Sequence, residues 1–128
     1  MRKAITSSKA AAVGPYSHAV DSEGLVYFSG QTPIDPATGK LVEGGIQVQT
    51  KQCFDNLRSI IEEAGLTMDD VQKVNVFLTD MSNFAAMNEI YGQKFTKPYP
   101  ARTTIGVASL PLGASIEIEM IALRQRRG

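Results

Sequence analysis

The hydrophobic period of this chain changes from helical to extended at sharp boundaries, and that change limits the folds open to it. Over residues 46–64, Ile46, Cys53, Leu57, Ile60, Ile61 and Ala64 recur at three- and four-residue spacing, the single apolar stripe of an amphipathic helix. Gly65 stops the helix, because glycine readily takes the left-handed conformation that closes a helix end. "VQKVNVFL" (71–78) then reads as a strand. "TDMSN" supplies an N-cap, Asp80 or Ser82, for a second helix over residues 83–95. The stripe of that helix is Phe84, Met87, Asn88, Tyr91 and Phe95.

Strands are predicted at 16–20, 25–29, 101–108 and 115–123, with "DSEG" (21–24) as the turn between the first two. Residues 30–45 carry two prolines and four glycines and read as a long loop with a short strand near Leu41. The order is β-β-α-β-α-β-β. It predicts an α+β sandwich of two layers, a mixed sheet with two helices on one face. The other sheet face then lacks cover, so a homo-oligomer is expected.

With 128 residues the chain suits one domain, residues 1–128. Its 13 basic residues balance 13 acidic ones, which gives no electrostatic footprint for nucleic acid. "RQRR" (124–127) reads as a solvated basic end. No apolar run reaches the roughly 18 residues of a membrane span. The basic N-terminal stretch lacks the apolar centre of a signal peptide. One cysteine, Cys53, leaves no internal disulfide and fits a reducing compartment, so a cytoplasmic location is expected. One histidine and one cysteine far apart offer no zinc-ligand spacing, and no phosphate-binding glycine loop occurs. No metal or cofactor is expected.

Several polar residues stand in apolar company. In "PARTTIGVASLP", strand alternation puts Arg102, Thr104, Gly106 and Ala108 on one face. That face is small-sided and leaves a hollow beside the guanidinium. Arg102 is either an anion site, its planar fork matching a carboxylate, or one half of an ion pair with Glu117 or Glu119. In "SIEIEMIAL", Glu117 and Glu119 share a face with Ile121 and Leu123. A glutamate there is either a general acid or base with a tuned pKa, or a charge that guards the sheet against aggregation. Asn88 interrupts the second helix's stripe, where a buried amide must find hydrogen bonds in a loop, a ligand or a water. Tyr16 in "GPYSHAV" is a ligand contact or a half-buried aromatic. Ser29-Gly30 either lets a ligand approach the backbone or simply ends a strand. Cys53 lies on a helix stripe as inert core.

"GPYSHAV", "YFSGQTPIDPATGKLV", "QCFDNLRSIIEEAGLTMDDVQKVNVFLTDMSNFAAMNEIY", "PARTTIGVASLP" and "IEIEMIAL" together resemble the RidA family, also called YjgF/YER057c/UK114 and often labelled endoribonuclease L-PSP. The resemblance runs from about residue 4 to 124. It implies a chorismate-mutase-like fold and a homotrimer whose sheets line a central β-barrel, with clefts between subunits. It implies hydrolytic deamination of reactive enamines and imines, such as 2-iminobutanoate and 2-iminopropanoate, to 2-oxo acids and ammonia. Such imines arise from pyridoxal-phosphate-dependent dehydratases, a functional link. The resemblance makes Arg102 the clamp on the substrate carboxylate and Glu119, the second glutamate of "IEIE", the group that positions water. Tyr16, Ser29 and Gly30 would line the pocket, with Asn88 near the same cleft. Thr104 stands where many members carry cysteine, which removes any thiol chemistry there and bears on substrate range. The competing readings are an endoribonuclease or translation inhibitor, and a non-catalytic binder of small carboxylic acids.

Overall fold

The computed structural model describes residues 1–10 and 14–125, so Arg126 and Arg127 of the basic "RQRR" end lie outside the described residues, while Arg124 forms an ion pair with Asp21 at 3.0 Å. The long amphipathic segment forms α1 (Ile46–Glu63), capped at Ala64, with Gly65 at φ +74° as the stripe predicts. Its Phe54, Leu57, Ile60 and Ile61 are buried against one face of a six-stranded sheet. The sheet order is β1-β2-β3-β8-β6-β7, where β1 is Lys3–Ile5, β2 is Ala19–Ser22, β3 is Leu25–Gln31, β6 is Val71–Leu78, β7 is Ala101–Gly106 and β8 is Ile116–Leu123. The face under the helices is built by alternate residues: Val26 and Phe28 of β3, Val74 and Val76 of β6, and Ile116, Ile118 and Met120 of β8. Truncating one of the large core side chains to alanine typically costs about 2–5 kcal/mol.

All neighbours in the sheet are antiparallel except β6 and β7, which pair in parallel. A parallel pair needs a crossover, and α2 (Phe84–Tyr91) provides it. The result is a mixed sheet with two helices on one face, the expected α+β architecture.

Several boundaries differ from the sequence expectation. The strand expected at 16–20 begins only at Ala19, because the Tyr16 amide closes a tight turn onto the Gly14 carbonyl (3.0 Å). Strand β3 runs on to Gln31 through a bulge after Phe28. The edge strand β1 lies outside the expectation, since three residues carry no readable alternation. Inside the long loop, β4 (Ile34–Asp35) pairs with β5 (Lys40–Leu41), so the short strand near Leu41 has a partner. The second helix stops at Tyr91, four residues before its expected end. Gly92 follows, where glycine weakens a helix, and the Gln93 and Lys94 amides tighten onto Ile90 and Tyr91. Asp80 is the cap: its carboxylate accepts from the Ser82 amide at 2.9 Å, opening a one-turn helix that leads into α2. Strand β7 ends at Gly106 rather than 108, and β8 starts at Ile116.

The sheet face away from the helices is apolar in part. Leu25, Tyr27, Ile105 and Leu123 point there or lie at its rim, each at least 40% exposed. Among the described residues no helix is long and apolar enough to cross a membrane.

Candidate functional site

Arg102 pairs in register with Val74, which is fully buried beneath the helices. Paired residues share a face, so Arg102 points to the helix side, towards α2. There Nη1 donates to Asn88 Oδ1 at 2.7 Å. The guanidinium carbon lies 4.6 Å from the centre of the Tyr91 ring and 5.5 Å from that of Phe84. The crossover that joins β6 to β7 thus sets three α2 side chains around one arginine. All three are neutral. Glu117 and Glu119 alternate with the buried Ile116 and Ile118 and so face the opposite side of the sheet. The ion pair left open by the sequence does not form, and no carboxylate pairs with Arg102 among the described residues. Thr104, two residues along on the same face, has a buried hydroxyl without a hydrogen-bond partner.

A second polar group sits at the centre of the sheet, on β3 and β8. A cavity of about 260 Å³ is lined by Tyr16, Ser29, Gly30, Ile34, Leu112 and Glu117 among others. The Glu117 carboxylate folds over Gly30: a methyl on Gly30 would stand 2.5 Å from Oε2. Glycine at this position makes the room that the carboxylate occupies. Burial, and then the neighbouring Glu119 charge, push the Glu117 carboxyl above the ordinary carboxylate range. The Ser29 hydroxyl donates to the Ser17 carbonyl at 2.6 Å, tying β3 to the segment that carries Tyr16. Leu112, on the cavity wall, is held at φ +61°.

The structure therefore brings Tyr16, Ser29 and Gly30 together, and separately Arg102, Asn88 and Thr104. Glu119 joins neither group. It lies on the open sheet face, where its Oε2 accepts from Asn75 Nδ2 at 3.0 Å. The carboxylate in the cavity is Glu117. Strand alternation puts Glu117 and Glu119 on one face and does not separate them; only the glycine beneath Glu117 does. The aromatic seat under Arg102 is not evident as a site from sequence. Its signal is nonetheless present: Phe84 and Tyr91 lie on the α2 stripe, three residues before Met87 and three after Asn88. Cys53 is buried, and burial pushes its thiol well up, as suits inert core. Among the described residues no three His, Cys, Asp or Glu side chains cluster to hold a metal.

These features define a small two-layer α+β protein with two separate polar groups, one cationic and one acidic, on opposite faces of its sheet. A family model described as Endoribonuclease L-PSP matches residues 6–124. The chain belongs to that family, the RidA family of the sequence resemblance. It is 45% identical over 125 residues to a mouse protein named 2-iminobutanoate/2-iminopropanoate deaminase, covering 97% of this chain and 93% of the relative. It is 45% identical over 113 residues to a RutC family protein of Pyrococcus horikoshii, covering 88% and 90%. The solved structure of RidA from the Antarctic bacterium Psychrobacter sp. superposes with a TM-score of 0.91 at 47% identity, covering 95% of this chain and 99% of that one.

Proposed function

We propose that this protein hydrolyses reactive 2-imino acids, of the 2-iminobutanoate and 2-iminopropanoate kind, to 2-oxo acids and ammonia. The observation that carries this reading is Arg102: a positive charge oriented by neutral groups and not cancelled by any carboxylate among the described residues. A planar guanidinium held in this way offers a two-pronged grip to a small carboxylate. The name of the mouse relative supports the same activity.

The acidic half completes the chemistry. Glu117, in the cavity with Tyr16, orients a water towards the imine carbon and takes its proton as the new C–O bond forms. The C=N pair moves to nitrogen, giving a tetrahedral carbinolamine. Glu117 returns that proton to nitrogen, giving the neutral amino alcohol. The hydroxyl proton then passes through Glu117 to the amino group, ammonia departs with the C–N electron pair, and the carbonyl forms. Positioned proton transfer contributes roughly 10²–10⁴-fold, and the intrinsic electrophilicity of an imine asks for little more. Glu119, favoured for this role by the family motif, acts here through its charge on Glu117.

One chain does not hold both halves of the site. Glu117 pairs with Phe77 and Phe77 with Ile105, three residues beyond Arg102 and two strands away from Glu117. At about 4.8 Å per strand and 3.3 Å per residue, with the side chains on opposite faces, no small substrate reaches both. We therefore infer a site shared between copies in a homotrimer, with the open apolar sheet face turned to a central barrel. The single buried thiol suits a reducing compartment such as the cytoplasm.

The test generates 2-iminobutanoate with threonine dehydratase in the presence of semicarbazide. The protein should suppress the semicarbazone, and Arg102→Ala should abolish that effect. Arg102→Lys should recover little, because a point charge lacks the planar fork. Full turnover by Arg102→Ala would overturn the reading. Ligand binding without faster hydrolysis would instead select a non-catalytic carboxylate binder.

A further inference from the structure

Arg102 rests on a surface whose construction goes beyond what anion binding alone requires. The Tyr91 ring is 6% exposed and packs against Phe54, edge-on at 5.8 Å, and against Phe95 at 5.0 Å between ring centres. Its face meets the guanidinium at 4.6 Å, closer than the Phe84 ring at 5.5 Å. Burial raises the Tyr91 phenol above its usual value, so the ring stays neutral at physiological pH. The hydroxyl itself is buried without a hydrogen-bond partner, which leaves the ring face as the part that touches Arg102.

We propose that Tyr91 is a positioning residue: its ring, clamped by Phe54 and Phe95, fixes the plane of the Arg102 guanidinium for a substrate carboxylate. This inference rests on the carboxylate-binding role proposed for Arg102. The physical advantage lies in neutrality. An acidic seat would orient the arginine equally well but would cancel its charge and compete with the ligand. A π-face attracts the cation through its quadrupole and leaves the net charge available. Asn88 fixes Nη1 from the side by a neutral amide. Ring and amide together hold the fork in one plane, so binding loses less side-chain freedom when the carboxylate arrives.

The test measures 2-oxobutanoate affinity by calorimetry, and steady-state hydrolysis of 2-iminobutanoate, for Tyr91→Phe and Tyr91→Leu. The Phe variant keeps the ring and should stay within about twofold of the parent. The Leu variant should raise both Kd and KM roughly fivefold to twentyfold, with kcat changed by less than about threefold. In an Arg102→Lys background the Leu substitution should add less than about twofold, since a flexible ammonium does not need a planar seat. Phe84→Leu, at a half-buried position, should raise Kd about twofold to fivefold, and it carries the test if Tyr91→Leu fails to fold by circular dichroism. An unchanged Kd in a folded Tyr91→Leu protein, or in Phe84→Leu where that variant carries the test, overturns the inference. So does an equal loss in the Phe and Leu variants, or an undiminished loss in the Arg102→Lys background. These outcomes leave the function standing as long as Arg102→Ala is inactive; full turnover by Arg102→Ala removes both.

Discussion

Arg102 Nη1 donates to Asn88 Oδ1 at 2.7 Å, and the partner is an amide rather than a carboxylate. The bond orients the guanidinium without neutralising it. Asn88→Asp keeps the geometry and adds a negative charge. We expect a tighter contact between the new carboxylate and Arg102, a protein at least as stable, and a KM for imine hydrolysis raised about tenfold or more through repulsion of the substrate carboxylate. Thermal unfolding and steady-state kinetics read the two effects separately. An unchanged KM would show that the substrate carboxylate goes elsewhere.

Gly30 and Glu117 form the second coupled pair. A Cβ at position 30 would meet the far end of a flexible side chain, 2.5 Å from Oε2 and 2.8 Å from the carboxyl carbon. Gly30→Ala should therefore fold, with Glu117 swung aside, and lose kcat by roughly 10²-fold, the lower range for a positioned acid or base. A fully active Gly30→Ala protein would remove Glu117 from the chemistry.

The pH dependence follows from the raised Glu117 carboxyl. If the ionised form takes the proton from water, kcat/KM rises with pH through a value above the ordinary carboxylate range. Glu119→Gln should move that acid limb to lower pH, and only modestly, because burial is the larger cause and the Glu119 charge the smaller. Stability runs the other way. A carboxyl whose folded pKa lies above its unfolded value stabilises fully below the unfolded value and loses that contribution as pH rises through the folded one. Glu117→Gln should thus raise Tm at neutral pH and leave it nearly unchanged at acidic pH. A Tm gain confined to low pH would reverse the assignment.

Because Arg102 and Glu117 occupy opposite faces, each inactive variant retains a half-site that the other lacks. Arg102→Ala and Glu117→Gln proteins, mixed, unfolded and refolded together, should regain a fraction of parental activity through shared sites that draw one intact half from each variant. Refolding either alone should recover none. Absence of complementation, with mixed oligomers demonstrated by mass spectrometry, would mean that both residues act within one chain.

Much of the architecture is legible in the sequence because it depends on local periodicity. The α1 stripe, the Gly65 stop, the β6 strand and the alternation that sets Arg102 with Thr104 all follow from side-chain direction along a helix or strand. The layer count and the two helices on one face follow from element order. The shorter α2 and the three-residue β1 are not legible, because their limits are set by pairing and packing rather than by pattern.

The sequence by itself determined which residues share a face, and the family to which those residues belong. It did not determine what each polar group meets. For Arg102 a glutamate or a guest remained open as the partner until the parallel β6–β7 register placed it under α2, away from both glutamates. Glu117 and Glu119 were equivalent by alternation until the bulge in β3 brought Gly30 beneath one of them. Contacts between residues far apart in the chain depend on strand register and crossover. Neither is written in local spacing, and the surroundings of Arg102 and of Glu117 depend on both.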